Sequence, residues 1–140
     1  MTFIDTNVLV YAAADGAPLL DRARAALERA VADGPVTISR QILREYVSVM
    51  TRQQIWGKPL TLARAVADTA EFTQQFSVLE DGPLVWDRFV ILSRRYSFAG
   101  RQVHDANIVA TMLAHGEHRL LTFNGADFRR FVRLIEVVPP

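Results

Sequence analysis

The sequence predicts an α/β sandwich built around a short, mostly parallel sheet. Three observations carry that expectation. Short apolar runs such as Thr2–Ile4, Val36–Ile38 and Arg119–Phe123 alternate with longer stretches of helical periodicity. Strands separated by helix-length segments favour parallel pairing with helices on the faces. No Ser/Gly linker, charge block or internal repeat divides the 140 residues, so a single domain over 1–140 is expected. A domain of that size buries about two-thirds of its unfolded surface, enough for a core without staples.

Taken in order, Thr2–Ile4 reads as a buried strand, and a helical stretch follows from about Thr6 to Ala14. Pro18 opens a long amphipathic helix, with Leu19, Leu20, Ala23, Ala26, Leu27, Ala30 and Val31 at helical spacing, and Asp33–Gly34–Pro35 stops it. Val36–Ile38 is a second strand. Ser39 then stands as N-cap of a helix reaching about Gln53. Leu60–Phe76 and Leu84–Tyr96 supply two more helices, with Ser77–Leu79 a strand between them. Gly100 precedes a helix over about Val103–Ala114, ended by His115–Gly116. Arg119–Phe123 and Leu134–Val138 are the last strands, with Asp127–Phe131 a short helix between.

Composition narrows the chemistry. Half the residues are hydrophobic and 22% are charged, which excludes a disordered chain. There is no cysteine, so disulfides, Cys-ligated zinc, iron–sulfur clusters and thiol nucleophiles are all excluded. The longest largely apolar runs, Val8–Ala14 and Ile108–Ala114, fall far short of the roughly 18 residues that span a bilayer. The opening Met1–Asp5 carries no basic segment before an apolar stretch, so a cytoplasmic protein without a membrane partner is expected. Net charge is only +1, yet Lys58 is the sole lysine among the 16 basic residues. That arginine excess follows either from a GC-rich coding sequence or from phosphate recognition, for which the guanidinium fork is suited.

Several sites are absent. Trp56–Gly57–Lys58–Pro59 lacks the upstream glycine and the Ser or Thr of a phosphate-cradling loop, and neither G-x-G-x-x-G nor G-x-S-x-G occurs. His104, His115 and His118 match no zinc-ligand spacing and read as surface or helix-end histidines.

The carboxylates offer more. Asp5 directly follows the first strand and opens a helix with Thr6 and Asn7, at the carboxyl edge where parallel sheets form ligand sites. It is either a plain N-cap or a cleft acid. Asp105 stands in the first turn of a later helix, where the dipole alone accounts for an anion. Glu45 falls just outside the apolar arc of Ile42, Leu43, Tyr46, Val47, Val49 and Met50, at the margin between core and water. It is either solvated or lines a cleft. Two carboxylates about 4 Å apart repel by roughly 4 kcal/mol at an effective dielectric near 20. Three together therefore call for a cation or for protonation. Hard oxygen donors without His or Cys select Mg²⁺ or Mn²⁺, which hold phosphate oxygens and make water more acidic. Spacing alone does not show that the three acids converge.

At these residues the chain resembles a PIN-domain ribonuclease, and more narrowly the VapC-type toxins of type II toxin–antitoxin pairs. Ile4–Asp5–Thr6–Asn7–Val8–Leu9 is similar to the family's opening motif, Leu43–Arg44–Glu45–Tyr46 to the second, and Val103–His104–Asp105–Ala106 to the third. Leu121–Phe128 is similar to the closing segment. Each motif is short, but all four occur in order and together cover essentially the whole chain.

The resemblance implies a PIN-like sandwich in which Asp5, Glu45 and Asp105 form an acidic pocket for Mg²⁺, with Mn²⁺ able to substitute. It implies endonucleolytic cleavage of RNA by activated water. Asp5 and Asp105 would be direct metal ligands, and Glu45 would ligate the metal or position water. Thr6 and Asn7 would orient the first ligand, and Thr122 would hydrogen-bond near the site. Where the family often has a fourth Asp, this chain has Asn124. Asp127 either replaces that acid or caps the short helix before Phe128, and the cap is the simpler expectation. Arg44 and Arg101 are the candidates for RNA phosphate contact, against the alternative of solvated surface arginines.

The family further implies a VapB-type antitoxin partner, and a homodimer or a heterotetramer or larger assembly with it. Ile55, Trp56 and Leu60 either pack in the core or line a groove for that partner. The competing reading is a PIN-like module that binds RNA or protein without cutting, which the neutral Asn124 keeps open. A receiver-like signalling domain fits poorly, because the one lysine is mid-chain and no Asp pair follows the first strand.

Overall fold

A computed structural model describes residues Met1–Pro140. The chain runs β1 (Thr2–Ile4), α1 (Thr6–Ala13), α2 (Leu20–Asp33), β2 (Val36–Ser39), α3 (Arg40–Met50), α4 (Leu62–Gln75), β3 (Ser77–Leu79), α5 (Pro83–Arg95), α6 (Gln102–Ala114), β4 (Arg119–Leu121), a 3-10 helix (Gly125–Phe131) and β5 (Glu136–Val138). The five strands form one sheet in the order β3-β2-β1-β4-β5, and every pairing is parallel. The expected sandwich is therefore present, with a wholly parallel sheet.

Topology decides where a ligand goes. From β1 the chain steps outward to β2 and β3, then returns past β1 to add β4 and β5 on the other side. The reversal lies between β1 and β4, which pair as Phe3↔Leu120 and Ile4↔Leu121. In open parallel sheets the crevice beyond the carboxyl ends of two such strands is the favoured ligand position. The residues that leave this edge are Asp5 from β1 and Thr122 from β4. Asp5 N–H donates to Leu121 O at 3.0 Å, and Thr122 N–H to Val138 O at 3.2 Å, so the ladder brings both residues to the edge of the crevice in fixed register.

The core consolidates that frame. Phe3, Ile4, Ile38 and Leu120 of the three central strands are fully buried. Helices α1 to α4 form a chain of contacts (α1 with α2 and α3, α3 with α4), and α5 packs on α6. Buried Val8, Leu9, Ile42 and Tyr46 anchor α1 and α3; Ile108, Val109, Ala110 and Met112 anchor α6. Tyr46 Oη donates to Asp68 Oδ2 at 2.7 Å, and Arg64 Nε pairs with Asp68 Oδ1 at 3.1 Å, which ties α3 to α4 through a buried acid. No helix is long and apolar enough to cross a membrane.

Three local expectations are corrected. α3 ends at Met50 rather than near Gln53, because other groups take its terminal carbonyls: Thr51 Oγ1 donates to Val47 O, Gln54 Nε2 to Val49 O and Leu60 N–H to Met50 O. Ser39 occupies the N-cap position but makes no capping bond, since it is the last residue of β2 and its Oγ is buried without a partner. Pro18 precedes α2 by two residues instead of opening it.

Candidate active site

A cavity of about 630 Å³ opens at the switch point. Asp5, Thr6, Asn7, Glu45, Arg101, Asp105, Asn124 and Asp127 line it, so eight of the ten sequence-selected residues share one space. Thr122 lies directly behind, holding Asp5. Arg44 is exposed and lies outside this lining. It neighbours Glu45 in sequence, about 100° further round α3.

Asp5 is the most tightly built of the acids. It is 7% exposed. Oδ1 accepts from Thr6 N–H at 2.7 Å, so the expected capping role is real. Oδ2 serves a different purpose, accepting from Thr122 Oγ1 at 2.6 Å and Asn7 Nδ2 at 2.9 Å. Three donors use most of a carboxylate's roughly four acceptor sites and leave one on Oδ1 for an incoming ligand. Burial, with the neighbouring Glu45 charge added, raises the Asp5 pKa above the ordinary value, and its donors pull it partly back. Asn7 fixes this arrangement: its Nδ2 also donates to Thr122 Oγ1 at 3.1 Å, and its Oδ1 accepts Phe123 N–H at 3.0 Å. Thr122 Oγ1 takes Asn124 N–H at 3.0 Å as well.

Glu45 is half-buried and held from two sides. Thr6 Oγ1 donates to Oε2 at 2.7 Å, and Gln41 Nε2 to Oε1 at 2.8 Å. Gln41 was missed in the sequence. It is buried, donates also to His104 O at 2.9 Å and accepts Asn107 Nδ2 at 2.8 Å. One amide thus ties Glu45 to the first turn of α6, where Asp105 sits. The faint signal was Gln41 at i−4 from Glu45, the spacing at which helical side chains meet.

Asp105 is the least compensated acid. Burial first, then the charges of Asp127, Asp5 and Glu45, push its pKa up to about 6, and only the Arg130 charge opposes them. No hydrogen bond contributes. Asp127 does not cap the 3-10 helix, as had been expected. Asn124 occupies the N-cap position, without a side-chain bond, and Asp127 lies within the first turn and faces the cavity. It therefore supplies charge where Asn124 does not.

No three acidic or histidine side chains are close enough to form a closed cage around an ion. The donor set nevertheless fits a hard divalent cation: its ligating groups are carboxylate oxygens, one acceptor site on Asp5 is free, and Asp105 has no protein donor to offset its neighbours' charge. Arg52 and Tyr11 are among the residues that line the cavity without having been singled out. Arg52 was hidden because α3 was expected to run past it.

Known proteins resemble the chain along most of its length. The PIN domain family model covers residues 2–134. Ribonuclease VapC48 of Mycobacterium tuberculosis is 30% identical over 130 residues, 91% of this chain and 89% of that protein. Ribonuclease VapC24 of the same species is 28% identical over 133 residues, 94% and 91% of the two chains. The fold is similar to that of a chain in VapBC2 from Rickettsia felis, solved bound to a promoter DNA fragment, with a TM-score of 0.68 over 99% of this chain and 98% of that one at 16% identity. With the acidic crevice at the same strand ends that the sequence motifs flank, the chain belongs to the PIN-domain family.

Proposed function

We propose that this protein is a VapC-type toxin, a divalent-metal-dependent endoribonuclease that hydrolyses RNA phosphodiester bonds and is neutralised by a cognate VapB-type antitoxin. The observation that carries the reading is the convergence of Asp5, Glu45, Asp105 and Asp127 on one crevice at the β1/β4 switch point. Asp5 and Asp105 would hold a bound Mg²⁺ or Mn²⁺ directly, and Glu45 would complete the set or position water. The cation would supply charge neutralisation at the scissile phosphate and a more acidic water. The protein supplies the rest. Thr122, Asn7 and Thr6 hold the Asp5 carboxylate in one orientation, and Gln41 and Thr6 hold Glu45. Arg101 and Arg52, both exposed and lining the cavity, are suited to phosphate contact; Arg44 is the weaker candidate because it lies outside that lining. A homodimer, or a heterotetramer or larger complex with antitoxin, is the expected assembly.

The test is cleavage of total RNA by pure, antitoxin-free protein in EDTA, Mg²⁺ or Mn²⁺, beside Asp5→Asn. Cutting that needs metal and disappears in the variant supports the reading. No cutting by folded protein would leave a PIN-like binding module, the reading that the uncharged Asn124 favours. Equal cutting by the variant would remove Asp5 from the site.

A further inference from the structure

The crevice does not end at the carboxylates. Tyr11 and Trp56 line the same cavity as Asp5, Glu45 and Asp105, together with Val10 and Val49. Tyr11 sits one helical turn beyond Asn7 on α1. Its ring meets Phe123 edge-on, with centroids 5.1 Å apart and planes at 86°, and Phe123 directly follows Thr122. Trp56 also packs on Tyr11, at 5.7 Å and 52°. The three rings are therefore continuous from beside Thr122 to Trp56, and Tyr11 and Trp56 form an aromatic wall of the cavity. All three rings are half-buried, packed on the core along one edge and open along another.

The wall is held in place by its backbone. Gln54 and Gly57 bridge to each other in an antiparallel pair, making a tight turn that leaves Ile55 fully exposed and turns Trp56 inward. Gln53 Nε2 donates to Gln54 O and Gly57 O and closes the turn. That turn rests on Gly16, whose φ of +80° and lack of a Cβ let the Trp56 carbonyl approach; an added Cβ would stand 3.1 Å from that oxygen. Arg52 and Arg101 line the same space and are exposed.

We infer that Tyr11 and Trp56 form a stacking subsite for an unpaired nucleobase beside the scissile phosphate. The inference rests on the nuclease reading and names two residues that position its substrate. An aromatic face and a cationic rim within one cavity are the two components of single-strand recognition: stacking accepts any base, and arginines accept the backbone. Duplex RNA keeps its bases stacked on one another and cannot present a free face to the wall. A protein segment would use the aromatic faces too, but it gains nothing from arginines placed beside acids that need a cation between them and a phosphate.

The test separates binding from cutting. Trp56 and Trp86 are the only tryptophans, so Trp86→Phe leaves Trp56 as the sole indole reporter. In that background, Asp5→Asn protein in Mg²⁺ is titrated with a single-stranded 10-mer of adenylate, with an abasic ribose-phosphate 10-mer of equal charge, and with duplex RNA. Quenching by the adenylate strand is expected, with roughly 5- to 150-fold weaker binding of the abasic strand, the range for one stacked base. The abasic arm leaves the protein untouched. On the cleavage side, Trp56→Ala should raise KM for RNA by a similar factor, and Trp56→Phe, which keeps a ring, should restore most of it. Equal affinity for adenylate and abasic strands, or an unchanged KM in folded Trp56→Ala, overturns the subsite while leaving metal-dependent cutting intact. Base-dependent quenching without any cutting by the wild-type chain would instead retain the subsite and remove the nuclease reading. A Trp56 signal that answers only to a protein partner overturns the subsite as well.

Discussion

Replacing Asp105 by Asn should make the metal-free protein more stable while abolishing its function, and the size of the gain follows from the site. Asp105 is a half-buried carboxylate facing Asp127, Asp5 and Glu45, with its pKa pushed up from the ordinary carboxylate range to about 6. The raised value means the folded state binds the proton more tightly than the unfolded chain does. The resulting penalty on folding is absent below the unfolded pKa, grows as pH rises between about 4 and 6, and is complete above that. About two pKa units correspond to roughly 3 kcal/mol, an upper bound because solvent reaches one side of the group. Asn keeps the shape and removes the charge. In EDTA at pH 8, Asp105→Asn should therefore unfold in urea at a higher midpoint, by about 1.5–3 kcal/mol of stability. At pH 4 the two proteins should converge. Added Mg²⁺ should stabilise the wild type at pH 8, much less at pH 5, and the variant little at either pH, because ligation requires the ionised carboxylate. A variant that is less stable than the wild type in EDTA at pH 8, or a gain that does not change with pH, would refute the claim that uncompensated charge shapes this crevice.

Two other perturbations probe the supports. Thr122→Val removes the 2.6 Å donor to Asp5 and the acceptor for Asn7 and Asn124, so thermal melts in EDTA should show a loss of about 2–3 kcal/mol, and the apparent Mg²⁺ affinity should fall with it. Tyr46→Phe leaves buried Asp68 with Arg64 as its only side-chain partner and should cost about 1.5–3 kcal/mol in urea denaturation, with metal-dependent cutting per folded molecule unchanged because α4 lies away from the crevice.

Asp5 and Asp105 were legible because each sits at a boundary that local sequence marks: a short apolar strand yielding to Thr6–Asn7, and a helix starting after Gly100. Glu45 was legible as a residue between the apolar arc of α3 and water, which is where the structure leaves it. The convergence of the three was not legible from spacing, because it depends on β4 being placed beside β1 after an excursion of more than a hundred residues. Only the likeness of four short motifs to a family supplied it. Strand order is a non-local property of that kind, and no side chain within Thr2–Ile4 or Arg119–Leu121 announces its partner.

Arg52 and the direction of Trp56 depend on where α3 stops, whereas Gln41 depends on what packs against the start of that helix. With the helix extended to Gln53, Arg52 becomes one more solvated arginine, and Trp56 either packs in the core or lines a groove. The stop at Met50 is set by Thr51, Gln54 and Leu60 taking the final carbonyls, and two of those three partners are side chains whose capping geometry has no strong sequence signature. Gln41 looked like an ordinary polar residue early in an amphipathic helix until the His104 carbonyl and Asn107 were brought against it from α6. These residues also differ from the acids in what fixes them. Asp5 must follow β1 for the crevice to hold a cation at all, whereas the segment after α3 pairs with no strand of the sheet. Selectivity among RNAs should therefore reside in that segment: exchanging residues 51–59 between two such nucleases should move the preferred cleavage site and leave the metal requirement unchanged.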